Sequence, residues 1–336
     1  MRIYRLDSFG LENLRLVEAE PPKPGPGDVA LDVQAISLNY RDLLVIRGQY
    51  NPKLKLPATP ISDGAGVVSA VGTGVTRVHV GDRVMTHFVA GWLDGPFHIR
   101  YVGTTLGLPG PGLAAERVVL PADAVLPLPD GYDFAQAATL PIAALTAWSA
   151  LVTEGCVQAG QTVLTLGTGG VSIFALQFAK ALDATVILTS SSDEKLARAR
   201  RLGADHTVNY RTRPDWEQAV LELTGGEGVD LTVETGGAGT LDKSLRATRG
   251  GGIIALLGAL AGVKAEITTG MILMKRLRIA GILVDSRAAF EAMCRFIGQH
   301  RIKPVIDRTY PFERLPEALA DMQAGRHFGK IVVEVA

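Results

Sequence analysis

The stretch Thr162-Val163-Leu164-Thr165-Leu166-Gly167-Thr168-Gly169-Gly170-Val171-Ser172-Ile173-Phe174-Ala175-Leu176-Gln177-Phe178-Ala179-Lys180 decides the fold. An apolar, β-branched run stops at a glycine cluster, and an amphipathic helical pattern starts at once. That order reads as strand, tight turn and helix N-terminus, the arrangement that holds a pyrophosphate. The glycines let the backbone approach phosphate oxygens. The helix start supplies unpaired N–H groups and the positive end of its dipole. Gly167, Thr168, Gly169, Gly170 and Val171 are therefore the candidate cofactor cradle. Ser172 stands where the fingerprint's last glycine or alanine would be, and it is small enough for close helix–strand packing.

Downstream of this stretch, strand and helix patterns alternate. Strands are expected at Thr185–Thr189, His206–Tyr210, Gly228–Glu234, Ile253–Leu257 and Arg278–Val284. Helices are expected at 193–202, 212–224 and 240–248, with Ser191 and Glu194 forming a capping box for the first of them. The repeated strand–helix unit predicts a doubly wound parallel sheet. A ligand binds such a sheet at the carboxyl ends of its strands, where the strand order reverses. Gly258, closing the fifth strand, therefore joins Gly167–Val171 as a cofactor candidate. An acidic residue after the second strand would hold a ribose 2′-hydroxyl. The chain has Ser190-Ser191-Ser192 there, followed by Lys195, which suits a 2′-phosphate and favours NADP(H) over NAD(H). Asp193 is the competing feature, since a longer turn would bring it to a ribose. The plain alternative is that the serines only cap a helix and Lys195 is solvated.

The N-terminal third reads differently. Val29, Leu31, Val33 and Ala35 alternate with polar or small neighbours after the turn Pro24–Gly27, and glycines punctuate further apolar runs at Val67–Val71 and Val78–Val84. Short strands broken by glycine predict a small twisted barrel. Residues 86–113 form a long Gly/Pro/aromatic loop containing Trp92, Phe97 and Tyr101. A helical pattern over Ala135–Leu151 is interrupted at Pro141. Helices follow at Ser286–His300 and Arg314–Gly325, and the terminal Ile331–Val335 strand rejoins the barrel. The expectation is an α/β chain of two domains. A β-rich barrel-type domain takes 1–125 and 301–336, and a Rossmann domain takes 126–300.

Length and composition bound the function. At 336 residues, two domains are expected from roughly 150 residues each. Thirty-four basic residues balance thirty-four acidic ones, with no block of like charge, which argues against nucleic acid or an anionic membrane as the main partner. The longest charge-free apolar run, near 253–263, is shorter than the roughly 20 residues a bilayer span needs. Two cysteines, Cys156 and Cys294, exclude a disulfide framework and a four-cysteine zinc site. Six histidines show no paired ligand spacing, and no Gly-x-Ser-x-Gly elbow occurs. The first residues run straight into a strand pattern without a signal-peptide layout, so a cytoplasmic protein is expected.

Leu38-Asn39-Tyr40-Arg41-Asp42-Leu43, Asp63-Gly64-Ala65-Gly66-Val67-Val68, Val80-Gly81-Asp82-Arg83-Val84, Ala137-Ala138-Thr139-Leu140-Pro141, Leu145-Thr146-Ala147-Trp148, Gly167–Val171 and Leu202-Gly203-Ala204-Asp205 occur in a characteristic order and spacing. With them the chain resembles the medium-chain dehydrogenase/reductase superfamily from end to end. The resemblance implies a chaperonin-10-like barrel and a Rossmann domain, with the cofactor in the cleft between them. Zinc members carry a cysteine where this chain has Asn39, His-Glu where it has Ser62-Asp63, and a third ligand near Pro141-Ile142. The cysteine-rich lobe of a second zinc is also missing from 86–116. The resemblance is therefore to the zinc-free branch of quinone and 2-enoyl reductases, with no metal residues.

By the same resemblance, Lys195 and Tyr210 hold the 2′-phosphate of NADP(H). Asn39 and Thr146 approach the nicotinamide, Ile282 and Leu283 offer backbone to its carboxamide, and Lys330 in Phe328-Gly329-Lys330 is a further cofactor candidate. Asn39 and Tyr40 are the candidate catalytic residues. Tyr40 either donates a hydrogen bond to substrate or packs in the barrel with its hydroxyl satisfied elsewhere. The implied activity is hydride transfer to a quinone, an enone or another small carbonyl compound. An alcohol dehydrogenase of the same fold and a non-catalytic NADPH-binding sensor or structural protein are the alternatives. A homodimer is expected through the edge strand Arg278–Val284.

Overall fold

The computed structural model describes residues 1–335. Its first strands are β1 (Arg2–Leu6), β2 (Leu14–Glu18), β3 (Asp28–Ser37), β4 (Asp63–Val71), β5 (Arg83–Thr86), β6 (Arg117–Pro121) and β7 (Val125–Pro127). A second group comprises β8 (Thr162–Leu166), β9 (Thr185–Ser190), β10 (His206–Asn209), β11 (Val229–Glu234), β12 (Thr248–Leu256) and β13 (Arg278–Gly281). Two strands close the chain, β14 (Ile306–Pro311) and β15 (Lys330–Glu334). The chain divides into two compact units, one of Met1–Leu145 with Asp285–Ala336 and one of Thr146–Val284.

In the first unit, β14, β15, β3, β4, β5 and β7 lie in that order in one sheet, with β6 pairing along β3. Only the β14–β15 pair is parallel. Among the described residues the outer strands β14 and β7 do not pair, so the expected barrel is an open sheet rather than a closed one. The C-terminal strand rejoins it as expected, with Val332 opposite Ser37 and Glu334 opposite Ala35. Residues 78–82 are not the strand predicted there. Gly81 N–H instead donates to Val68 O, and Asp82 caps His79 N–H, so the chain turns before β5 begins. Alternate side chains of β3 (Val29, Leu31, Val33) bury against Leu6, Leu43, Ile46, Leu120 and Phe312 in one core.

The second unit is a six-stranded parallel sheet in the order β10-β9-β8-β11-β12-β13. The chain winds outward from β8 to β10, then crosses back and lays β11 on the other side of β8. The order therefore reverses between β8 and β11, at the carboxyl ends of both. Helices Gly170–Ala181, Asp193–Arg201, Trp216–Leu223, Leu241–Ala247 and Thr269–Lys275 lie in its five connections. Serine at 192, not 191, caps the second of them, its Oγ accepting from Lys195 N–H at 3.4 Å. No described helix is long and apolar enough to cross a membrane.

Candidate active site

In the second unit the reversal point carries the glycine turn. Gly167 has φ +78°, a left-handed conformation that only glycine adopts without strain, and its N–H donates to Thr189 O across to β9. A Cβ built on Gly169 would meet no protein atom within 4 Å, so the backbone there faces open space. The helix that follows forms its first hydrogen bond from Ile173 N–H to Gly169 O (3.0 Å), which leaves the preceding amides of that turn without helical partners. Ser172 is buried and donates to Leu166 O at 2.7 Å. The residue in the fingerprint's last small position thus ties the helix back to β8 as well as fitting against it. Thr235 Oγ donates to the same Leu166 carbonyl (3.0 Å) and joins the ends of β8 and β11. Gly258 lies so close to that loop that a Cβ would come within 2.0 Å of Thr235 O.

Tyr210 N–H donates to Ser190 O at 3.0 Å, so the ends of β9 and β10 bring Ser190–Ser192 and Tyr210 side by side. Ser190 is buried, with its Oγ accepting from Ser192 N–H, and the Tyr210 ring is 41% exposed. Asp193, the competing ribose ligand, accepts from Asn209 Nδ2 at 2.7 Å. Thr146 is buried in the short helix Leu145–Trp148, and Ile282 N–H is held by Leu256 O (2.9 Å) just beyond β13. Leu283 follows it and precedes Val284, a β-branched residue at φ +125°.

Sequence reasoning missed Glu234. Its carboxylate is fully buried at the end of β11 and accepts from Gly236 N–H (2.7 Å), Gly237 N–H (3.0 Å) and Thr240 Oγ (2.6 Å), and from Ser244. It shapes the turn facing Gly258. An acidic residue ending a strand directly before Thr235-Gly236-Gly237 was the available signal.

In the first unit, Asn39 precedes the helix Tyr40–Ile46, and its own N–H donates to Asp42 Oδ2 at 2.9 Å. Its side chain points the other way. Nδ2 donates to Asp63 Oδ2 (2.8 Å), and Oδ1 accepts from Lys330 Nζ (2.7 Å), which also donates to Leu38 O (2.6 Å). Asp63 Oδ2 accepts as well from Ile142 N–H at 3.2 Å. That amide is free because Leu140–Ala144, with Pro141 in it, winds as a wider π-helical turn inside the predicted 135–151 helix. Asp63 Oδ1 has no partner among the described residues. Burial pushes the Asp63 carboxyl up to about 7 against the opposing pull of Lys330 and Asn39, and it pushes Asp42 up against the pull of Arg41. Burial equally lowers Lys330, which the two aspartates oppose.

Tyr40 is 37% exposed and its hydroxyl has no hydrogen-bond partner among the described residues. Arg41, next to it, stacks on Tyr50 and Phe88 and donates to Ser62, Gly107 O and Leu108 O.

The region 25–130 matches the alcohol dehydrogenase GroES-like domain, and 170–299 matches a family described as zinc-binding dehydrogenase. A zinc-type alcohol dehydrogenase-like protein of Schizosaccharomyces pombe is 41% identical over 97% of this chain and 96% of its own length. The chain belongs to the medium-chain dehydrogenase/reductase superfamily. A quinone oxidoreductase of Pseudomonas aeruginosa is 34% identical over 79% of this chain and 75% of its own. A solved putative alcohol dehydrogenase of Sinorhizobium meliloti superposes with TM-score 0.93 at 43% identity, over 99% and 98% of the two chains. The protein is accordingly an NAD(P)H-dependent medium-chain oxidoreductase.

For this superfamily a pyridine nucleotide fits the second unit. The open backbone at Gly169 and the uncapped helix start are what a pyrophosphate requires. Zinc fits the first unit poorly. The chain does bring residues 39, 63 and 142 together, but they offer an amide, one carboxylate and a peptide N–H, and the last is a donor that cannot ligate. Ser62 Oγ is committed to Asp42 at 2.7 Å. Among the described residues no three His, Cys, Asp or Glu side chains are placed to share a metal.

Proposed function

We propose that this oxidoreductase is a zinc-independent, NADP(H)-dependent reductase of a quinone, an enone or another small carbonyl compound. The observation that carries the reading is the hydrogen-bonded set of Asn39, Asp63 and Ile142 N–H, which fills with donors and one carboxylate the positions where zinc relatives keep ligands. The phosphate side of the reading is supported by Ser191 beside Tyr210, by Lys195 one turn into the helix, and by Asp193 being held by Asn209.

The bound nicotinamide supplies hydride to the substrate. Negative charge then grows on the substrate's carbonyl oxygen and needs donors already in place. The Tyr40 hydroxyl is unpartnered, and the second Nδ2 hydrogen of Asn39 has only a 3.5 Å contact to Ser37 O. At that length little is lost by redirecting it. Both are donors to the carbonyl oxygen.

Metal analysis combined with NADPH and NADH titration tests this. The expected result is no stoichiometric zinc and tighter binding of NADPH. Lys195→Glu should weaken NADPH about 10- to 100-fold, the value of one hydrogen bond to a charged group, and reverse the cofactor order. Stoichiometric zinc with activity lost on chelation, or equal affinities for the two cofactors, overturns it. Alcohol oxidation is the second reading, favoured by the names of the S. pombe and S. meliloti relatives. A panel of quinones, enones, aldehydes and alcohols separates the two, and turnover of any of them excludes a binding-only protein.

The edge position of β13, next to the exposed Leu273 and Met274, supports a homodimer by sheet extension, with dimer mass in light scattering as its check.

A further inference from the structure

We propose that Lys330 is a positioning residue of the reduction site. Its buried ammonium takes the place of a metal cation by locking the Asn39 carboxamide in one orientation. The inference rests on the reading of Asn39 as a donor to substrate, but its first test does not.

The geometry begins at Gly329. Its φ is +87°, and a Cβ there would come within 2.3 Å of Val305 O, so only glycine lets the chain pass this close to the backbone that leads into β14. Lys330 N–H then donates to Val305 O at 2.9 Å, and the side chain enters the sheet interior. Lys330 is 3% exposed, which is unusual for an ammonium without carboxylate contact. No salt bridge joins it to Asp63. The Asn39 amide lies between them instead, with Lys330 Nζ–H donating to Oδ1 and Nδ2–H donating to Asp63 Oδ2.

An ammonium can only donate, so it holds Oδ1 toward Lys330 and leaves Nδ2 to donate to Asp63 Oδ2, which also accepts from Ile142 N–H. Flipping it would set nitrogen against nitrogen and oxygen against oxygen inside a site that water does not reach. Asp63 is itself placed with care. Ile61, two residues earlier, is fully buried at φ +75°, a strained conformation for a β-branched residue, and Ile142 N–H pins the carboxylate from the other side. Asp42, beside it, is held by Asn39 N–H and Ser62. Two buried carboxylates, Asp63 and Asp42, therefore act on one buried cation without touching it. The ammonium opposes their charge and, unlike a metal, spends its hydrogen bonds on Leu38 O and the Asn39 amide.

The test compares Lys330→Met, Lys330→Arg, Asp63→Asn and the double variant Lys330→Met/Asp63→Asn in the full-length protein. The first measurement is independent of activity. With selective ¹⁵N-asparagine labelling, the Asn39 side-chain amide should give two well-separated, slowly exchanging hydrogens in the wild type. These should merge or broaden in Lys330→Met. Unchanged Asn39 resonances in Lys330→Met overturn the proposal.

The second measurement is kinetic, with NADPH and whichever carbonyl substrate the panel yields. Lys330→Met should lower kcat about 100-fold, the loss expected from an angstrom-scale misplacement, with the NADPH dissociation constant changed less than about threefold. Lys330→Arg should recover part of kcat. The double variant removes the ammonium and the Asp63 carboxylate together, leaving Asp42, and should regain part of the thermal stability that Lys330→Met loses, but not its kcat. If the double variant regains kcat along with stability, Lys330 is only structural and the proposal falls. If Lys330→Met weakens NADPH more than about tenfold with kcat intact, Lys330 is a cofactor ligand, and the proposal falls in that direction. An altered Asn39 signal with no turnover of any carbonyl compound leaves the locking of Asn39 standing and overturns the reductase reading instead.

Discussion

At the glycine turn after β8 the chain leaves its polar groups unfinished. The Gly169 backbone faces open space, the helix that follows starts without a side-chain cap, and the Tyr210 ring stands 41% exposed. Around Asn39 the chain does the reverse. Asp42, Asp63 and Lys330 are buried, and almost every polar atom among them is spent on a neighbour. Under the proposed function the first arrangement suits a charged ligand and the second a developing charge. An open set of amides waits for an anion that brings its own phosphate oxygens. A closed network fixes the direction of one amide before any substrate arrives, so little reorganisation is left for the reaction itself. Tolerance to substitution therefore differs between the two regions: the open turn loses binding before stability, and the closed network loses stability first.

Two glycine substitutions would break this comparison most visibly. Gly258→Ala forces a backbone shift because its Cβ would come within 2.0 Å of Thr235 O, and it should cost about 3 kcal/mol in urea unfolding as well as cofactor affinity. Gly169→Ala meets no protein atom, so its stability should be unchanged while NADPH affinity falls about 100-fold. Equal stability losses in the two variants would show that the turn is not open.

The pH dependence of stability sharpens the other side. Burial, the main cause, raises the folded-state value of Asp63 to about 7, above its ordinary 3.8. A raised carboxylate contributes stability that is fully present below about pH 4 and is lost as pH rises through 7. Wild-type stability should therefore fall across that window relative to Asp63→Asn, by a few kcal/mol at most. Urea midpoints of both proteins at pH 5 and pH 8 measure it, and parallel pH curves would refute the buried titration. The smallest effect is expected from Ser172→Ala, which removes the bond to Leu166 O and should cost about 1 kcal/mol with NADPH binding intact.

Much of the second unit was legible in advance because its information is local. A strand, a glycine turn and a helix start are neighbours in sequence, and Ser190–Ser192, Lys195 and Tyr210 follow at the ends of the next two strands. The errors there were small: the cap sits on Ser192 rather than Ser191, and Glu234 went unnoticed because its partners lie in a turn that only forms around it. The first unit was legible in its outline and not in its network. Alternation along β3 gave the sheet, but nothing in a short-strand pattern says whether that sheet closes, and it does not. Residues 78–82 carry the apolar alternation of a strand and turn instead, since Gly81 and Asp82 bond back to the end of β4 and to His79.

The sequence by itself determined the parallel sheet and the glycine turn that follows its first strand, because both rest on residue identity and short-range periodicity. Only the tertiary structure decided the network around Asn39. Lys330 is 291 residues from Asn39, and Asp63 and Ile142 are separated by 79. No local pattern links them. They meet because β15 returns antiparallel to β3, a π-turn at Pro141 frees one amide, and burial makes every unpaired alternative too costly.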